Sequence, residues 1–163
     1  MKRERQWRGV GAADGREGGS LLWAFREEHR AMIRTLREWD RKLSRVSLTE
    51  VREEEVVDIL EGLVTLIEVS LRPHCARERW VLLPELCRRG LEQAARELKR
   101  EDEALVRERR QLQRALVRMR RGGARAACAE GIRVGERVIA RLIEHIHREE
   151  RGVFPQLEGI WNV

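Results

Sequence analysis

The chain has 163 residues, 42% hydrophobic and 38% charged, a length that suits one ordinary domain and hardly two. Tyr is absent and Phe occurs twice, so a core must be built from Leu, Val and Ile, and the lack of sustained apolar–polar alternation argues against a sheet. The net charge of +6 comes from 34 basic residues interleaved with 28 acidic ones, the pattern of ion-paired, solvated helix faces; with no aromatic-studded basic platform and no zinc-finger spacing, no nucleic-acid partner is expected.

Residues 1–18, MKRERQWRGVGAADGREG, are Gly-rich, charged and aperiodic, and read as a disordered arm ahead of a folded unit spanning 19–163. A helical period starts at Ser20, a residue able to cap a first turn. Leu22, Phe25, Met32, Ile33, Leu36 and Leu43 follow at helical spacings. A second helix is predicted from near Ser47 or Thr49, with acidic residues in its first turn as the helix dipole prefers. Its stripe is Val56, Leu60, Leu63 and Ile67; Pro73 should kink or interrupt it, and Gly90 should end it.

A third helix carries Leu91, Ala95, Leu98, Leu105, Leu112, Leu116 and Met119, and Gly122-Gly123 breaks it. A fourth carries Val134, Val138, Leu142 and Val153 and is expected to stop near Phe154-Pro155. Four long amphipathic helices with short connections predict an all-α, up-down-up-down four-helix bundle.

Polar residues sit on these apolar stripes. On the fourth helix the inward positions include His145 and Glu149, about one turn apart on one face. His147 lies about 200° round from His145 and points outward. Counting forward from Leu63 and Ile67 on the second helix gives His74 and Glu78. HxxxE followed by apolar residues and a proline therefore occurs twice, with Pro84 and Pro155 each ten residues beyond the histidine, an internal repeat. On the first helix His29 falls between Phe25 and Met32. The corresponding place on the third is Asp102, although Glu101 and Glu103 can also reach inward. The spacing agrees: 45 residues from His29 to His74 and 43 from Asp102 to His145.

Buried, unpaired charges cost several kcal/mol each. His29, His74, Glu78, Asp102, His145 and Glu149 on four separate stripes are tolerable only if they meet around something cationic. Imidazoles and carboxylates with open positions suit iron or manganese better than a closed structural zinc site.

These residues resemble the haemerythrin-like family, the HHE cation-binding domains. The resemblance spans about residues 20–160 and rests on His29, on His74-xxx-Glu78 with Pro84, and on His145-xxx-Glu149 with Phe154-Pro155. It implies a haemerythrin-like bundle around two non-haem iron ions, bridged by an oxo or hydroxo group, with manganese admissible in their place. It further implies that His29 and His74 ligate one ion, that Asp102 and His145 ligate the other, and that Glu78 and Glu149 bridge both. The departure is Asp102, where the family pattern has His. An added anionic ligand should favour the ferric state, making reaction with oxygen or peroxide a better expectation than reversible oxygen storage.

The expected function is thus a bacterial di-iron protein that reacts with O2, peroxide or NO, or that handles or senses iron, with a non-catalytic, metal-stabilised signalling module as the alternative. Cys75, Cys87 and Cys128 are odd in number and lack CxxC spacing, and with no leader segment they suggest a reduced, cytoplasmic setting. Cys75 lies about 100° round the helix from His74 and is not expected to be a ligand. No apolar run reaches about 18 residues, so no membrane span is expected. Val57, Val64 and Val69 lie off the main stripes and leave a monomer or a homodimer open.

Overall fold

In a computed structural model the described residues are 15–48, 53–121 and 125–161, and the side chain of Asp102 is outside the description. Among the described residues, six α-helices and two π-helical segments make four rods. The first rod is α1 (Gly15–Leu48). The second joins α2 (Glu53–Leu66), a π segment (Ile67–Leu71) and α3 (Arg72–Arg88). The third is α4 (Glu92–Arg121). The fourth joins α5 (Arg125–Arg148), a second π segment (Glu149–Val153) and α6 (Phe154–Trp161). No strand occurs among the described residues, and the arrangement is the expected up-down-up-down bundle.

Several boundaries differ from expectation. Helix α1 is already running at Gly15, so Ser20 lies within it rather than capping it, and Ser47 belongs to its last turn. Residues 1–14, Thr49 and Gly122-Gly123 lie outside the described residues. The fourth rod does not stop at Phe154-Pro155 but continues to Trp161. Both prolines are accommodated in the same way. A helical proline lacks the N–H that would bond the carbonyl four residues back, and its ring crowds that carbonyl. Here Pro73 and Pro155 each come two residues after a π segment, in which the Arg72 N–H reaches back to the Ile67 carbonyl and the Phe154 N–H to the Glu149 carbonyl. Widening the turn moves the crowded carbonyl aside, so the rod continues. Pro73 and Pro155 thus share the π turn, while Pro84, which shares with Pro155 the spacing from HxxxE, lies within α3 itself.

Between the second and third rods, Gly90 takes φ +72°. Its N–H donates to the Cys87 carbonyl while the Leu91 N–H donates to that of Leu86, closing the end of α3 with a residue that needs no Cβ.

The core comes in two parts. One apolar cluster holds Met32, Leu36, Leu43, Leu60, Leu63, Leu71, Leu105, Leu112, Val138 and Leu142. The other holds Leu22, Phe25, Leu82, Leu86, Leu98, Val153, Phe154 and Leu157. Each fully buried Leu contributes roughly 1.5–3 kcal/mol. Every rod passes from one cluster to the other, and the change falls between Phe25 and Met32, Cys75 and Leu82, Leu98 and Leu105, and Ile146 and Val153. The polar residues predicted to face inward occupy this layer. Val57 and Val64 pack against the first cluster, leaving Val69 as the exposed member of that trio.

Candidate metal centre

Five side chains fill the layer between the two cores: His29 from α1, His74 and Glu78 from α3, His145 from α5, and Glu149 from the first turn of the second π segment. None is more than 3% exposed, so water cannot satisfy their polar atoms. His29 Nε2 lies 2.9 Å from His74 Nε2 and 3.1 Å from Glu149 Oε2. His74 Nε2 is 2.8 Å from Glu78 Oε1, and His145 Nε2 is 3.1 Å from Glu149 Oε1. The four groups His29, His74, Glu78 and Glu149 each offer a ligand atom within 4.8 Å of the others. A second set, sharing Glu78, consists of Cys75, Glu78 and His145.

The outward nitrogens show which tautomer each imidazole takes. His29 Nδ1 is 3.1 Å from Glu150 Oε1, His74 Nδ1 2.7 Å from Glu28 Oε2, and His145 Nδ1 2.8 Å from Glu101 Oε2. A carboxylate accepts and cannot donate, so each Nδ1 carries the hydrogen and donates it. In the neutral ring Nε2 is then an acceptor, and all three lone pairs turn inward. Two such acceptors 2.9 Å apart, beside carboxylate oxygens, repel unless a proton or a cation lies among them. With all three rings neutral, neither Glu78 oxygen nor His145 Nε2 has a hydrogen-bond partner among the described residues. The donor set therefore suits a metal: neutral imidazoles oriented by outer carboxylates, with ionised carboxylates between them.

The titration tendencies follow from this crowding. Burial, then the neighbouring His74, His145 and Arg26, push His29 down to about 2. Burial acts the same way on His74, but the hydrogen bonds and charges of Glu78 and Glu28 outweigh it and raise its pKa. Without metal, the proton of this pair thus belongs to His74. Burial raises Glu101, but its hydrogen bonds to His145 and Arg148 win and hold it below the usual carboxylate range.

Aromatic rings close one end of the layer. Phe154 stacks on His29, with centroids 5.3 Å apart and planes 2° from parallel, and the edge of Phe25 meets His74 at 5.2 Å. A cavity of about 810 Å³, chiefly between α4 and the fourth rod, is lined by Glu101, Arg148, Glu149 and Gly152. His147 stands half-buried on its wall, away from the cluster.

Of the six residues singled out in the sequence, five converge. The side chain of Asp102 lies outside the described residues. Its neighbour Glu101 reaches the layer and binds the back of His145. Cys75 is buried in the first apolar cluster, and its sulfur comes within 4.8 Å of donor atoms of Glu78 and His145. An angle of about 100° from His74 does not remove it from a buried face that itself spans ≳ 100°. The partners Glu28 and Glu150 adjoin inward-facing His29 and Glu149 in sequence, and that adjacency was the available signal. Trp39 packs against Gly62, whereas Trp23 and Trp80 are exposed.

Residues 20–157 match the hemerythrin HHE cation-binding domain. The chain belongs to the hemerythrin HHE cation-binding family. No curated protein and no solved structure matched it. As a hemerythrin HHE domain it is a cation-binding protein, and the buried histidine and glutamate cluster can hold the metal. No described helix is long and apolar enough to cross a membrane.

Proposed function

We propose that this hemerythrin-like domain binds two non-haem iron ions in the layer between its cores and there reacts with dioxygen, peroxide or nitric oxide, or handles iron itself. One observation carries the reading. Three buried imidazoles direct their Nε2 lone pairs at two buried carboxylates, and each is held in that tautomer by an outer carboxylate. His29 and His74 hold the first ion and His145 the second, with Glu78 and Glu149 lying between them. Asp102 is proposed as a further donor to the second. Iron in such a nitrogen- and carboxylate-rich site supplies redox change and open coordination positions. Phe25 and Phe154 shield His74 and His29 from water, and the cavity that reaches Glu149 admits a small molecule. Manganese fits the same donors. A cytoplasmic, bacterial setting belongs to this proposal.

The test is anaerobic loading with ferrous iron, metal counting and then exposure to air. About two ions per chain, with a ligand-to-metal absorption band appearing on oxidation, is the expected result. About one ion per chain removes the dinuclear site, and protein that stays iron-free removes the proposal. A second reading has its own support: the donors come from three rods, so metal must tie the bundle together whether or not it turns over. Repeated peroxide consumption or ferrous oxidation marks a reactive centre, and a single stoichiometric event marks a metal-stabilised module.

A further inference from the structure

We propose that Cys75 is itself a metal donor, so that the second ion position has a sulfur ligand beside His145 and Glu78. This rests on the metal-binding reading above and adds a ligand that neither the spacing of the histidines nor the HxxxE repeat contains. Cys75 directly follows His74 on α3, and the two residues divide the layer between them. His74 Nε2 turns to His29 at 2.9 Å and Glu78 at 2.8 Å, whereas the Cys75 sulfur lies within 4.8 Å of donor atoms of Glu78 and His145. Glu78 is common to both groups, which is the arrangement two adjacent ions sharing a carboxylate require.

Two observations separate this sulfur from an ordinary core cysteine. The atoms it approaches call for a proton or a cation: Glu78 is 1% exposed and His145 3%, and with the rings neutral neither Glu78 oxygen nor His145 Nε2 has a hydrogen-bond partner among the described residues. The imidazole is also already turned for ligation, because Glu101 accepts from its Nδ1 at 2.8 Å. Around an ion bound by His145 and Glu78, Cys75 is thus a third donor supplied by a different helix from His145. A thiolate in that place shifts preference toward borderline and softer divalent ions such as Fe, Co and Zn, and away from Mg or Mn. Cys75 also lines a groove of about 570 Å³ between α3 and α4, whose rim carries Arg72, Arg79, Arg109 and Arg110. Small reagents thus have a path to the sulfur from outside the bundle.

The experiment uses cobalt(II) as the probe on the full chain, with Cys87→Ser and Cys128→Ala installed so that Cys75 is the one remaining thiol. Visible d–d bands report cobalt binding as such, and an intense near-ultraviolet sulfur-to-cobalt band reports a thiolate ligand. Both are expected, and cobalt should also protect Cys75 from iodoacetamide, read by mass spectrometry. Adding Cys75→Ala should remove the near-ultraviolet band and lower the cobalt count while leaving d–d bands from the His29–His74 position. Should the alanine variant lose its helical circular dichroism, the band and the protection in the thiol-bearing protein still decide the matter. Visible bands without the near-ultraviolet one, and alkylation unaffected by cobalt, overturn the sulfur ligand and leave the metal centre standing. Absence of every cobalt band overturns both.

Discussion

Glu101 offers a sharp test of the site, because its hydrogen bond into the central layer goes to His145. Its Oε2 accepts from His145 Nδ1 at 2.8 Å and its Oε1 from Arg148 at 2.7 Å, with the side chain 17% exposed. Loss of an outer partner of a ligating histidine typically costs about 10–100-fold in metal affinity, or roughly 1.4–2.8 kcal/mol. Glu101→Gln keeps an oxygen that can accept from Nδ1 and loses the charge, so about tenfold is expected. Glu101→Ala loses both, so the loss should approach ~100-fold. The effect should fall on one of two metal positions, the one built on His145, and leave the His29–His74 position unchanged. Titration against a competing chelator, with two-site fitting, reads both. Glu103→Gln serves as the control, since Glu103 is exposed on the same helix. Equal weakening of both positions by Glu101→Ala, or no weakening alongside a strong effect of Asp102→Asn, would refute the assignment of Glu101 as the orienting group.

Metal should stabilise the fold by mass action: free metal at about 1,000 times its dissociation constant adds roughly 4 kcal/mol. For a chain of this size that raises Tm by ~8–16 °C, measurable by calorimetry with and without chelator; an unchanged Tm would deny that the donors on three rods are bridged. Without metal, the two paired histidines act in opposite directions on stability. His74, raised by Glu78 and Glu28, stabilises fully below the unfolded value of about 6.5, and this is lost as pH rises through its raised value. His29, held at about 2, stays neutral where the unfolded chain takes up a proton, so stability is lost as pH falls below about 6.5. The urea midpoint of metal-free protein should therefore peak near neutrality, and a steady rise from mild acid to mild alkali would contradict the pairing. Gly90→Ala should cost about 1 kcal/mol through its left-handed backbone, seen as a lower urea midpoint; metal content should not change.

The sequence by itself determined the class of fold and most of the central layer. Helical periodicity marks which side of each rod is apolar, and a buried polar residue on that side stands out because leaving it unpaired is so costly. His29, His74, Glu78, His145 and Glu149 were legible for that reason. Tertiary structure decided what periodicity cannot express. It carried the fourth rod past Pro155 through a π turn, as it did the second past Pro73, since the strain of a proline depends on how the preceding turn opens. It chose Glu28, Glu101 and Glu150 to hold the backs of the histidines, because partners that close the layer come from whichever rod happens to lie alongside. It also brought Cys75 to His145, a contact between α3 and α5 that no spacing along either helix contains. A stripe on a helix has a direction but no neighbour until the rods pack.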